Sequence, residues 1–184
     1  HNVGDVLLKD ISSVLTKHYQ LPDLVGNIAA DEFILIINNV SSGNEIFMQI
    51  NKLHDILRRK WQFESQSFFI TSSIGVAIYP DHGTTFQELL INADLARNYA
   101  KEKGKDRYVY YNLSIRDGAL KEIEITNSLR NAIVNDELLL YYQPIIDVKN
   151  KEIVAFEALL RWNHPHKGFI SPGEFIPIAE ENGL

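Results

Sequence analysis

The residues best suited to chemistry in this 184-residue sequence fall into three groups. Asp31-Glu32 lies between two short apolar runs, Leu24–Ile28 and Phe33–Asn38, which places the acids in the four-residue tip of an expected β-hairpin. Acidic pairs in turns are mostly solvated side chains. As hard oxygen ligands they also suit a magnesium ion carried on a nucleotide phosphate. Lys101 and Lys105 stand four apart where a helical pattern runs out. The helix dipole favours cations there in any case, and the spacing expects both ammonium groups on one face, able to grip phosphates. Glu157 and Arg161 belong to Glu157-Ala158-Leu159-Leu160-Arg161-Trp162, the end of an expected strand, where period-two alternation puts Glu157, Leu159 and Arg161 on one face. Such a pair is commonly an ion pair or a solvated edge. The alternative is a metal-binding carboxylate beside a phosphate-binding guanidinium, the combination a phosphodiester hydrolase needs.

The elements that must position these groups follow from periodicity. Val3, Leu7, Ile11, Val14 and Leu15 predict a helix over 3–19, and Ile46, Ile50, Leu53 and Leu57 a second one running to about Lys60. Phe68–Tyr79 reads as β-rich up to Pro80. Thr85-Phe86-Gln87-Glu88 has the form of a capping box, followed by Leu89, Ala93, Ala96 and Ala100 on one helical face, with Gly104 suited to the helix C′ position. Tyr108–Tyr111 makes a short aromatic strand. Leu113–Val134 predicts a helix that links two domains, 1–112 and 135–184. Strands are expected at Leu138–Ile146 and Glu152–Arg161, a loop at His164–Gly168, and a last helix from Pro172.

Composition narrows the function classes. The chain has no cysteine, which excludes a disulfide scaffold, thiol catalysis and a cysteine-ligated metal. A net charge of −6 argues against a protein that coats nucleic acid. The apolar runs are far shorter than the roughly 18 residues that span a bilayer, so no membrane contact is expected in this segment. The length cannot hold a whole (β/α)₈ barrel of about 250 residues. A start at His1 rather than Met and an end within an expected element read as an excerpt of a longer chain.

Two families are resembled. Gly4-Asp5, Asn27-Ile28-Ala29-Ala30-Asp31-Glu32-Phe33, Ser73-Ile74-Gly75-Val76-Ala77, Ala93-Asp94 and Ala100-Lys101-Glu102-Lys103-Gly104-Lys105 together resemble the GGDEF diguanylate cyclases, over residues 1 to about 112. These condense two GTP molecules into cyclic di-GMP. By that resemblance Asp5 matches the guanine-reading aspartate, Asp31 the metal-binding acid, Glu32 the acid that follows it, and Lys101 and Lys105 the phosphate contacts. Tyr142-Gln143-Pro144-Ile145, Glu157–Trp162, His164-Pro165, Gly168–Pro172 and Phe175–Glu180 resemble the start of an EAL domain, which hydrolyses cyclic di-GMP with metal-activated water in a TIM-like barrel. Glu157 then matches a metal ligand, Arg161 the residue that holds the ligand's phosphate, and Gln143 a strand position near the ligand. His164 and His166 are expected to be loop residues and not ligands.

The implied fold is α+β: a GGDEF-type sheet flanked by helices, then the first strands and helix of the EAL barrel. Three departures bear on activity. Alanines 29 and 30 stand where the family has two glycines, crowding a phosphate and straining the turn by about 1 kcal/mol if φ is positive. The inhibitory product site carries Gln20 in place of its arginine, beside Asp23. The first strand, with a second metal-binding aspartate, would precede His1. No cyclase activity is therefore expected, and no complete catalytic site in this segment. The parent reads as a cyclic di-GMP phosphodiesterase using Mg²⁺ or Mn²⁺, with a regulatory GGDEF half for which GTP is a further candidate ligand. The alternative is a non-catalytic receptor or interaction module. The resemblance implies a cytoplasmic location, with membrane anchoring of the parent left open. The barrel strands would leave apolar faces such as Leu138–Leu140 exposed, so either a homodimer with exchanged elements or trimming of a longer chain is expected.

Overall fold

A computed structural model describes residues 2–29, 31–63 and 66–184, which form two compact units, 1–112 and 113–184. In the first unit, helix α1 (Asn2–His18) buries Ile11 and Leu15, with Tyr19 just beyond its end. Their spacing of four is one helical face. This face meets Trp61, with Val25, Phe33 and Leu35 from a hairpin and Leu53, Ile56 and Leu57 from helix α2 (Gly43–Arg58) partly buried around it. Burial pushes the Tyr19 hydroxyl up to about 12, with the charge of Asp23 adding to the effect.

The hairpin is tighter than its sequence suggests. Strand β1 (Leu24–Ala29) and strand β2 (Glu32–Ile36) pair antiparallel, and Ala29 lies opposite Glu32 across an irregularity that follows Asn27. Glu32 is thus a ladder residue, not part of a four-residue tip. Ala29 does not have a positive φ, so the strain expected of a left-handed alanine is absent there. Ala30 lies outside the described residues.

Helix α2 stops at Arg58, short of Lys60, and the chain reverses into an unexpected strand β3 (Lys60–Phe63) paired with β4 (Gln66–Phe69). The aromatic Trp61 decides this. It is buried, its Nε1–H donates to the Leu57 carbonyl at 2.9 Å, and the Arg59 guanidinium lies over its ring. The β-rich stretch that follows is broken, so that β5 (Ser73–Val76) is separate from β4. Helix α3 (Phe86–Glu102) crosses from β5 to the parallel strand β6 (Arg107–Tyr110). The Thr85–Glu88 capping box forms as read from the sequence. Gly75 lets α3 lie directly on β5: a Cβ there would sit 1.9 Å from the Ala93 carbonyl oxygen.

The second unit is built from helix α4 (Leu113–Val134), strands β7 (Leu138–Asp147), β8 (Glu152–His164) and β9 (Gly168–Ile170), and helix α5 (Pro172–Asn182). The three strands form one antiparallel sheet in chain order. The β7–β8 turn is far too short for the crossover a parallel pair needs. Asp147 closes it by accepting hydrogen bonds from the Lys149 amide and the Asn150 side chain. Ile125, Leu129, Ala132, Trp162, Ile170 and Phe175 make the core, with Trp162 and Phe175 edge-to-face. Leu138 packs on this core, contrary to the expectation that Leu138–Leu140 is an exposed run; Leu139 and Leu140 are the exposed members. His164 ends β8, and its ring Nδ1 accepts backbone amides of His166 and Lys167, so it shapes the turn to β9. Among the described residues no helix is long and apolar enough to cross a membrane.

Candidate functional site

The core of the second unit fixes which residues its sheet presents on the other side. Trp162 is fully buried, and its Nε1–H donates to Glu137 at 3.0 Å. Leu138 is paired with Trp162 and Leu140 with Leu160; of these four, Leu138, Leu160 and Trp162 pack in the core, and Leu140 shares their face by alternation. A slip of one residue would turn Arg161 into the core, so the register is strongly specified. On the opposite face Gln143 is the direct partner of Glu157, Tyr141 of Leu159, and Leu139 of Arg161. Direct cross-strand partners have Cβ atoms about 5 Å apart and share a face. The structure thus places Gln143, Glu157 and Arg161 on one face of two adjacent strands.

Glu157 is exposed, and among the described residues no ion pair joins it to Arg161. The Arg161 Nη1–H donates to the Leu160 carbonyl at 2.9 Å, and its guanidinium carbon stands 5.7 Å from the centre of the Tyr141 ring. A carboxylate and an amide oxygen side by side are hard donors of the kind Mg²⁺ and Mn²⁺ accept, but they supply only part of a shell of about six oxygens. Among the described residues no group of three or more His, Asp or Glu side chains could hold a metal ion.

In the first unit the sequence-derived candidates do not converge. Asp5 is exposed in the first turn of α1 and Asp31 is exposed in the hairpin turn. Lys101 is in the last turn of α3. Lys105 is not on a helical face with it, because α3 ends at Glu102. Gly104, Lys105 and Asp106 then take left-handed backbone conformations in succession. That turn is held by Asp106, whose carboxylate meets Arg58 at 2.6 Å and His54 at 3.5 Å. Among the described residues no hydrogen bond or ion pair connects Asp5, Asp31, Lys101 and Lys105 to one another.

Glu32 has a partner that the sequence reading missed. The Arg97 Nη1 lies 3.0 Å from its carboxylate, while Arg97 Nε–H donates to Asp94 at 2.9 Å. The i,i+3 spacing of Asp94 and Arg97 on α3 was a visible signal for half of this cluster. Its reach to the hairpin was not, since it depends on tertiary packing. Asp23, paired in the sequence with Gln20, accepts the Asn38 amide at 2.7 Å and so ties the two ends of the hairpin.

Residues 1–107 match the model of the diguanylate cyclase GGDEF domain, and residues 126–184 that of the EAL domain. The chain is 34% identical over its full length to the bifunctional diguanylate cyclase/cyclic di-GMP phosphodiesterase MucR of Pseudomonas aeruginosa, of which it covers 27%. It is 32% identical, again over its full length, to the cyclic di-GMP phosphodiesterase NbdA of the same organism, covering 23% of it. The chain therefore spans about a quarter of the length of these curated relatives. A solved EAL/GGDEF domain protein from M. capsulatus matches with TM-score 0.56 at 32% identity, over 61% of this chain and 72% of that one.

Proposed function

Since this chain belongs to the GGDEF family and runs on into the start of an EAL domain, we propose that it serves cyclic di-GMP signalling as part of a phosphodiesterase whose GGDEF half is regulatory and makes no cyclic di-GMP. The observation that carries the reading is the Gln143–Glu157 cross-strand pair with Arg161 on the same face. Glu157 would contribute a carboxylate to a divalent cation, Gln143 stands beside it at a strand position near the ligand, and Arg161 offers its guanidinium fork to a phosphate. When bound, the cation activates a water for attack on phosphorus. The remaining ligands come from elsewhere in the full-length protein.

Support for a silent GGDEF half is independent of this. Alanines replace the hairpin glycines that its family uses, Gln20 replaces the product-site arginine, and Arg97 already neutralises Glu32. GTP is its candidate ligand, α4 belongs to the second unit that follows it, and a cytoplasmic location fits a substrate made from GTP.

The test is a pair of turnover measurements on the full-length protein. Cyclic di-GMP with Mg²⁺ or Mn²⁺ should yield the linear dinucleotide, and GTP with Mg²⁺ should yield no cyclic di-GMP. Binding of cyclic di-GMP without hydrolysis would replace the phosphodiesterase with a receptor. Synthesis of cyclic di-GMP from GTP would overturn the silent GGDEF half.

A further inference from the structure

The Arg161 guanidinium has two contacts, one to the Leu160 carbonyl within its own motif and one to Tyr141 on the neighbouring strand, outside it. Tyr141 is two residues from Gln143 on β7, hence on the same sheet face, and its direct partner is Leu159. Arg161 is two residues beyond Leu159 on β8, so Tyr141 and Arg161 are diagonal neighbours, a separation that aromatic and long side chains span. The guanidinium carbon stands 5.7 Å from the ring centre, within the range of a cation–π contact. The Nη1–H bond to the Leu160 carbonyl fixes the other side of the fork. Leu159, partly buried, borders the ring on the same face.

We infer that Tyr141 is a positioning residue: its ring holds the Arg161 guanidinium over the sheet face beside Gln143 and Glu157, ready for a phosphate of the bound nucleotide. The inference rests on the reading of Arg161 as the phosphate-holding residue. An arginine held in advance loses less rotamer freedom on binding than one waving in solvent, and the geometry of a bidentate contact is set before the ligand arrives. Tyr141 is itself half-exposed and absent from the core, so truncating it leaves the fold intact.

The experiment compares Tyr141→Leu, Tyr141→Phe and Arg161→Ala in the full-length protein, with cyclic di-GMP as the probe. Arg161→Ala should all but abolish hydrolysis at low substrate. Tyr141→Leu should raise KM about two- to ten-fold with kcat nearly unchanged, and Tyr141→Phe, which keeps the ring face, should restore the parent KM. A second readout uses the 184-residue chain without ligand. The Arg161 Nε–H resonance, shifted by the ring current of Tyr141, should move in Tyr141→Leu and stay in Tyr141→Phe. A Tyr141→Leu protein with parent KM, or a Tyr141→Phe protein as impaired as Tyr141→Leu, would overturn the inference while leaving the Arg161 reading intact. An Arg161→Ala protein with parent kinetics would remove that reading, and the inference with it.

Discussion

Gln143 and Glu157 face each other across the β7–β8 ladder, a carboxamide and a carboxylate brought side by side by the burial of Trp162 five residues further along β8. Neither residue contacts the core; their position is a consequence of parity. Once Leu160 and Trp162 are committed to the inner face, Glu157 and Arg161 must share the outer one.

This makes Glu157 separable from folding. Glu157→Gln keeps the shape, removes the charge and turns one acceptor oxygen into a donor amide; at this exposed position the thermal stability of the chain should stay within about 0.5 kcal/mol of the parent. In the full-length protein the same change should lower metal-dependent hydrolysis of cyclic di-GMP by about 10- to 100-fold or more, since even residues that only support a metal ligand cost that much when lost. Parallel melting curves and turnover assays would check both halves of the statement.

Trp162 supports the site indirectly. Trp162→Phe loses the Nε1–H bond to Glu137 and leaves a void beside Phe175, and should destabilise the second unit by about 1–3 kcal/mol. Denaturant unfolding followed by circular dichroism measures this directly. Trp162→Ala should cost about 3–5 kcal/mol.

Much of this architecture was legible in the residues alone. The helix over Leu113–Val134 followed from apolar periodicity, and the Thr85–Glu88 capping box from four consecutive residue types, because both are local. What was not legible depends on contacts distant in sequence. Strand β3 follows α2 with no glycine or proline to announce the break, and it forms because Trp61 reaches the α1 face. Lys105 looks helical in Lys101–Lys105, yet the backbone turns left-handed where Arg58 holds Asp106. The Gln143–Glu157 pairing could not be counted from the sequence either, since it needs the turn length and the irregularity between Ile145 and Ile146 to set the register.

The first unit should be sensitive at Gly75. A methyl group there would lie 1.9 Å from the Ala93 carbonyl oxygen and 2.5 Å from the Arg97 amide nitrogen, both backbone atoms of α3. Neither can yield without moving the helix. Gly75→Ala should therefore destabilise this unit by about 1–3 kcal/mol or more, read as a fall in Tm of at least several degrees.

Acid should loosen the start of α3. The Glu88 carboxylate accepts the Thr84 and Thr85 amides and the Thr84 hydroxyl, and these bonds hold its pKa below the ordinary value of 4.5. With the folded value below the unfolded one, the stabilisation is fully present above the unfolded value and is lost as pH falls through the folded one. Glu88→Gln should flatten that acid limb of the stability profile. Amide exchange over residues 84–90, followed from pH 6 downward, would show the parent alone opening.

The Arg97 cluster gives a last prediction, and it separates a structural from a ligand-binding role for the hairpin acid. Arg97 joins Glu32 on β2 to Asp94 on α3, so it is a tether between the hairpin and the helix. The groups are partly exposed, and a pair of that kind contributes at most about 1 kcal/mol. Arg97→Leu should therefore lower global stability only slightly while raising amide exchange locally over β1 and β2, because the hairpin loses its charged anchor to α3. If Glu32 serves mainly as that anchor, Glu32→Gln should reproduce the same exchange pattern, and the double variant should be no worse than either single one. Additive effects of the two substitutions would show that Glu32 and Arg97 act separately, and would return Glu32 to the role of an acid waiting for a ligand.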